Sequence, residues 1–115
     1  MASTVQIKFE RVTKETFHLA STIKIQREQK KYANSAMHGI VQGTFTPNSI
    51  SLFIWGSHDI SLPIGYCLLE ENKPEATVYI KQFMIDQSQQ SKGLGKASIT
   101  ALIPYIRTLY PSTQS

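Results

Sequence analysis

The stretch Gln90-Ser91-Lys92-Gly93-Leu94-Gly95-Lys96 decides how the rest of this sequence is read. Ahead of it runs Thr77-Val78-Tyr79-Ile80-Lys81-Gln82-Phe83-Met84-Ile85, whose β-branched and aromatic residues suit a strand. Behind it runs Ala97-Ser98-Ile99-Thr100-Ala101-Leu102-Ile103, which reads as a helix. A strand, a glycine-bearing turn and a helix in that order build an anion site. The first helical N–H groups have no partner within the helix, and the helix dipole adds partial positive charge at that end. Gly93 and Gly95 present no Cβ, so a ligand can approach the main chain closely, and Lys92 and Lys96 bring full positive charge. A diphosphate suits such a turn. Two phosphate-binding patterns do not fit it. In GxxxxGK[ST] the first glycine falls on Gln90, and Ala97 stands where Ser or Thr would hold magnesium. In GxGxxG the third glycine falls on Ser98, and no acidic residue follows before Ser115.

The pattern Gln-x-x-Gly-x-Gly after an apolar strand resembles the acetyl-CoA pyrophosphate loop of the GNAT N-acetyltransferase superfamily. The longer string Phe83-Met84-Ile85-Asp86, continued from Gln90 to Lys96, is most similar to the polyamine branch of that superfamily, the spermidine/spermine type. The resemblance implies that an acceptor amine attacks the thioester carbonyl of acetyl-CoA directly. It implies that the main chain of Phe83, Met84 and Ile85 holds the pantetheine arm as a strand would. The pyrophosphate would rest on the amides of Gln90, Ser91, Lys92, Gly93, Leu94, Gly95 and Lys96. Gln29 and Tyr32 match a Gln-x-x-aromatic segment that lines the acceptor site in the polyamine branch. Read without the resemblance, the polar run from Lys24 to Ser35 is a solvated helix face and a loop.

Composition bounds the remaining possibilities. A chain of 115 residues with 41% hydrophobic and 17% charged content is one globular domain, spanning 1–115, and not a disordered segment. A formal charge of +4 suits a polyanionic cofactor. Lys30-Lys31 is the only adjacent basic pair, which argues against nucleic acid as a partner. The single cysteine, Cys67, excludes an internal disulfide and a multi-cysteine metal site, and no metal is expected. Met1–Val5 has no signal-peptide character, and no apolar run reaches the ~18 residues of a spanning helix. A soluble cytoplasmic protein without membrane attachment is expected.

In chain order, Val5–Phe9 alternates as a half-buried strand. Thr13 is a candidate cap with Glu15 in the first turn, and Phe17, Leu19, Ala20 and Ile23 form an apolar helical stripe. Gly39 to Ser49, with two glycines, Pro47 and Asn48, reads as a loop. Ile50–Trp55 and Ile64–Leu69 pair as a hairpin across Gly56–Asp59. Glu70-Glu71 flanks a solvated turn, and Thr77–Ile85 follows as the next strand. Pro104 predicts a kink or an early end of the last helix near Ile103, and Pro111 a stop. Cys67 and Trp55 read as core, and His18, His38 and His58 as surface residues outside any hydrolase triad.

This order predicts an α/β (α+β) fold of GNAT type: a mixed, mostly antiparallel sheet flanked by helices, cut off after the acetyl-CoA-binding helix. The resemblance implies a fifth strand and a later tyrosine acid beyond that helix, and a carboxylate on the fourth strand. The chain ends at Ser115, and the fourth strand centres on Lys81 and Gln82. No catalytic acid or base is assigned. The expected activity is acetyl transfer from acetyl-CoA to a primary amine such as spermidine, slow or absent in this chain. The alternative is a non-catalytic CoA-binding or structural domain acting through self-association. An unpaired fourth strand, long, apolar and free of proline, predicts a homodimer.

Overall fold

Residues 6–25, 35–56, 61–89 and 93–110 are described by the structure, a computed structural model. Four antiparallel strands lie in sequence order: β1 (Ile7–Arg11), β2 (Ser49–Gly56), β3 (Gly65–Asn72) and β4 (Thr77–Ile85). Helix α1 (Ala36–Thr44) covers one face of the sheet and helix α2 (Leu94–Leu109) the other. The register sets Phe9 opposite Ile54, Leu52 opposite Cys67 and Cys67 opposite Phe83. Successive strand residues face opposite layers. Phe53, Tyr66, Leu68 and Met84 therefore pack with Ala36, Ile23 and Ile25 on the α1 side. Leu52, Cys67 and Leu69 pack with Leu102 and Ile106 on the α2 side. Both faces are covered, so Leu52, Phe53 and Ile54 are all fully buried although adjacent.

The expected mixed α/β arrangement is present, with four local corrections. The loop expected over Gly39–Ser49 is helical as far as Thr44. The Ser35 hydroxyl caps α1 by accepting from the His38 N–H at 3.1 Å. The two glycines that read as breakers are packing residues. A Cβ on Gly39 would stand 2.7 Å from the Tyr66 ring, and one on Gly43 2.8 Å from Leu68 Cδ1. One turn apart on one face, they let α1 lie close on the sheet. His38 accordingly lies on a helix and not in a loop, and it is exposed.

The apolar stripe near the N-terminus is a short 3-10 helix, Phe17–Thr22, and not a regular helical face. Ala20 and Ile23 are buried, but Phe17 is 44% exposed. Thr13 does not cap it. Its hydroxyl instead accepts from the Glu15 N–H, in a tight turn that ends at Thr16. Glu70 and Glu71 belong to β3, and Glu70 pairs with Lys81 across the strands at 3.7 Å. The turn that follows is a 3-10 helix, Lys73–Glu75, closed by Ala76 in the left-handed conformation. Finally, Pro104 does not end α2, which continues to Leu109. Pro104 and Thr100 both lie on the exposed side, so water can satisfy the carbonyl that proline leaves unpaired. Trp55 is half-buried, edge-on to Phe53 with ring centroids 6.5 Å apart. His58 and Pro111 lie outside the described residues.

Candidate acyl-CoA site

The end of β4 and the start of α2 are held together by side chains. Leu94, 3% exposed, packs against Ile54, Ile64 and Ile85. Further along α2, Ser98, Leu102 and Ile106 continue the buried face at four-residue spacing. Each fully buried Leu or Ile contributes about 1.5–3 kcal/mol. The first turn of α2 is thus anchored from below, and its upper side is free to present backbone.

Gly93 starts that turn with φ of 74°, a left-handed conformation that side chains disfavour. The first bond of the helix runs from the Ala97 N–H to the Gly93 carbonyl, at 3.1 Å. The amides of Leu94, Gly95 and Lys96 precede it and have no helical acceptor. A Cβ on Gly93 would meet nothing within 4 Å, and one on Gly95 would meet only Ile85 Cγ1, at 3.8 Å. Neither glycine is required by packing within the described residues. Gly93 is favoured by its backbone angle, and Gly95 by nothing among the described residues. Beside the turn lies an open depression of about 440 Å³ lined by Ile7, Gly93, Lys96, Ala97, Thr100 and Ala101. The Lys96 side chain is exposed there, adding its charge to the positive end of the helix.

β4 meets the same turn through Ile85 and Leu94 but lines no part of that depression. Among the described residues it pairs only with β3, and no described strand lies along its other edge. The ladder is interrupted: Leu68 faces Gln82 but Leu69 faces Ile80, leaving Lys81 as an extra residue on β4. This β-bulge reverses the facing of the strand. Val78 packs on the α2 side with Leu69 and Leu102, whereas Met84, also even-numbered, packs on the α1 side. Phe83 and Ile85 face α2. The three residues expected to lend main chain to a pantetheine arm therefore follow the bulge directly.

Of the residues proposed from sequence, Phe83, Met84, Ile85, Gly93, Leu94, Gly95 and Lys96 lie together where β4 meets α2. Gln90, Ser91 and Lys92 of the turn, and Gln29 and Tyr32 of the acceptor segment, lie outside the described residues. Three polar groups near this region were not foreseen. Gln82 sits against Gly39 of α1, with its Oε1 buried and without a hydrogen-bond partner among the described residues. Ser98 is fully buried on α2. Asp86, 9% exposed at the end of β4, accepts from the Lys24 and Ser88 backbone N–H groups and from the Ser88 hydroxyl. Only the bulge, invisible to a period-two reading, would have oriented Gln82. Asp86 follows the strand in a turn-forming context, which was a usable signal.

Nearby titratable groups are passive. Burial pushes the Cys67 thiol up to about 12. It pushes the Tyr66 phenol up to about 12 as well, against the opposing hydrogen bond to Ser51 at 2.7 Å. Neither group ionises near neutral pH. Among the described residues no helix is long and apolar enough to cross a membrane.

No curated protein sequence matches the chain. Solved structures share its fold. A GNAT-family protein from Bacteroides thetaiotaomicron is 16% identical with a TM-score of 0.60, over 85% of this chain and 55% of that one. The ribosomal-protein-S18-alanine N-acetyltransferase of Escherichia coli is 13% identical with a TM-score of 0.60, over 90% and 61%. An acyl-CoA N-acyltransferase from Pseudomonas aeruginosa is 14% identical with a TM-score of 0.62, over 96% and 75%. The chain thus spans little more than half the length of the first of these and three quarters of the last. Residues 13–110 match the acetyltransferase (GNAT) family. The match takes in both helices, three whole strands, the left-handed glycine and the turn around it, and on it the chain belongs to the GNAT acetyltransferase family.

Proposed function

We propose that this chain binds acetyl-CoA where β4 meets α2 and transfers the acetyl group to a primary amine of polyamine type. The carrying observation is the run from Phe83–Ile85, at the end of the last strand of the sheet, to the left-handed Gly93 and the amides of Leu94, Gly95 and Lys96 that precede the first helical bond. The pantetheine arm adds as a strand along β4, and the diphosphate lies over the first turn of α2. The amine nitrogen attacks the thioester carbonyl carbon, the carbon–sulfur bond breaks, and CoA leaves as the thiolate. The amine gives up one proton and the thiolate takes one. β4 offers no carboxylate for the first transfer; its central polar side chains are Lys81 and Gln82. A slow reaction is therefore expected, since positioned general acid–base groups typically contribute about 10²–10⁴-fold. The polyamine assignment rests on the string from Phe83 to Lys96 and on Gln29 and Tyr32. CoA titration followed by thiol release with acetyl-CoA and spermidine tests the reading. Absence of CoA binding ends it, and binding without thiol release leaves a CoA-binding domain.

One observation favours a second reading in which two copies associate. Tyr79 and Ile80, on the outer edge of the described sheet, are 47% and 42% exposed. Such an edge accepts another strand readily. Sedimentation at micromolar concentration separates a dimer from a monomer.

A further inference from the structure

We infer that Lys81 is an acyl acceptor within the chain itself: acetyl-CoA bound as proposed above acetylates the Lys81 amine, and the Glu70 carboxylate takes its proton. The inference rests on the acyl-CoA reading and extends it to a modification site. Lys81 is the extra residue of the β4 bulge, between Ile80, which faces Leu69, and Gln82, which faces Leu68. A bulge re-aims side chains, and this one turns two successive residues to the same side. Gln82 sits against Gly39 of α1. Lys81 Nζ lies 3.7 Å from Glu70 Oε1, and Glu70 shares its side of β3 with Tyr66 and Leu68, which pack on the α1 face. Regular alternation would have sent one of the two to the α2 face. The Lys81 side chain is 46% exposed and that of Glu70 34%, so the amine is reachable from solvent with a carboxylate already beside it.

The direction of the bound arm brings its thioester to this amine. A Cβ on Gly95 would lie 3.8 Å from Ile85 Cγ1, and Ile85 packs with Leu94, so the first turn of α2 adjoins the Ile85 end of β4. An arm that leaves that turn along β4 passes Ile85 first and Phe83 last, and its thioester end points at the bulge. Lys81 precedes Ile85 by four residues, about 13 Å at the rise of a strand, which an extended pantetheine arm spans. The flexible four-carbon stem of lysine covers the remaining gap. Glu70 takes one proton from the ammonium and passes it to water. The neutral nitrogen attacks the thioester carbonyl carbon, the carbon–sulfur bond breaks, and the leaving thiolate receives the second proton from nitrogen. The products are acetylated Lys81, the CoA thiol and one proton in solution. An exposed ion pair contributes little, so removing Glu70 would free the amine only slightly, whereas a positioned base contributes about 10²–10⁴-fold. The acetylated side chain carries no charge, and its pairing with Glu70 ends with the reaction.

The test is peptide mapping by mass spectrometry of the full chain incubated with acetyl-CoA, with CoA calorimetry and thermal melts alongside. Lys81 is expected to gain an acetyl group at least tenfold faster than Lys14 and Lys73, which are exposed lysines away from the bulge. The rate should saturate with acetyl-CoA and be independent of protein concentration. In urea-unfolded chain the three lysines should react alike. Glu70→Gln, shown by its melt to be folded, should slow labelling of Lys81 at least tenfold. Lys81→Arg should leave Lys14 and Lys73 labelled at their wild-type rates. Wild-type protein that binds CoA but acetylates Lys81 no faster than Lys14 and Lys73 overturns the inference and leaves the CoA site standing. A preference for Lys81 that persists in urea, or a rate that climbs with protein concentration, also overturns it. So does a folded Glu70→Gln protein that labels Lys81 at the wild-type rate or faster. Wild-type protein that binds no CoA removes both the inference and the reading beneath it.

Discussion

Replacing Gly95 with alanine separates the demands of folding from those of the ligand, because the two have opposite signs. Gly95 is the second residue of α2, with no left-handed backbone angle to protect. Among the described residues its added Cβ would touch only Ile85 Cγ1, at 3.8 Å, an ordinary contact distance. Alanine is favoured over glycine within helices by about 0.8–1.0 kcal/mol, and somewhat less is expected in a first turn. Without ligand, Gly95→Ala should therefore raise stability by about 0.5–1 kcal/mol. For a domain of this size that is a Tm increase of roughly 2–5 °C. In the proposed binding mode the same methyl would hinder close approach of the diphosphate to the main chain of the turn. Losing one hydrogen bond to a charged group costs about 1.5–3 kcal/mol, or about tenfold to hundredfold in affinity. Gly93→Ala should weaken CoA similarly but lower stability by about 1–2 kcal/mol, because its φ of 74° is left-handed. Differential scanning fluorimetry and CoA calorimetry on the three proteins give both quantities. A stabilised Gly95→Ala protein with unchanged CoA affinity would refute the placement of the diphosphate. A destabilised one would refute the claim that the fold leaves this position open.

Three further outcomes are expected. Cys67 has its pKa raised from 9.0 to about 12 and Tyr66 from 10.0 to about 12, so the folded state holds these protons longer than the unfolded chain does. Both contributions are complete below pH 9, and they decline as pH rises toward 12 at up to about 1.4 kcal/mol per pH unit per group. Denaturant titrations from pH 8 to 11 measure this, and Cys67→Ala should flatten the earlier part of the decline. Gly39→Ala should destabilise by about 1–2 kcal/mol, since crowding against Tyr66 outweighs the gain in helix propensity; a thermal melt showing stabilisation would mean that α1 can move off the sheet. Pro104→Ala, on the exposed side of α2, should stabilise by about 1–3 kcal/mol, read from urea midpoints at constant m-value.

The strands were legible because their signals are local. The run Thr77–Ile85 carries its β character in Thr77, Val78, Tyr79, Ile80, Phe83 and Ile85, and the observed strand has those limits. The start of α2 was legible from two glycines and two lysines. What could not be read depended on partners distant in sequence. Gly39 and Gly43 look like breakers until Tyr66 and Leu68 are seen beneath them. Pro104 looks like a terminator until its side of the helix is known to face water. Phe17 suits an apolar stripe but falls outside the core, because a 3-10 helix turns its residues at a different pitch. Asp86 shows a turn in the sequence but not its bond to Lys24, since nothing local specifies a partner 62 residues away.

The extra residue at Lys81 also limits what the outer edge of β4 can carry. A β-bulge bends its strand and increases the local twist. The outer edge from Thr77 to Ile80 therefore points along a different line from the edge between Gln82 and Ile85. A straight guest strand can follow one half or the other, but not all nine residues of β4. In the proposed binding mode the pantetheine chain would follow the half beside α2, and the half with exposed Tyr79 and Ile80 would be left to a polypeptide. Occupancy of one berth need not displace the other, and a dimer formed through the first should retain its full capacity for CoA.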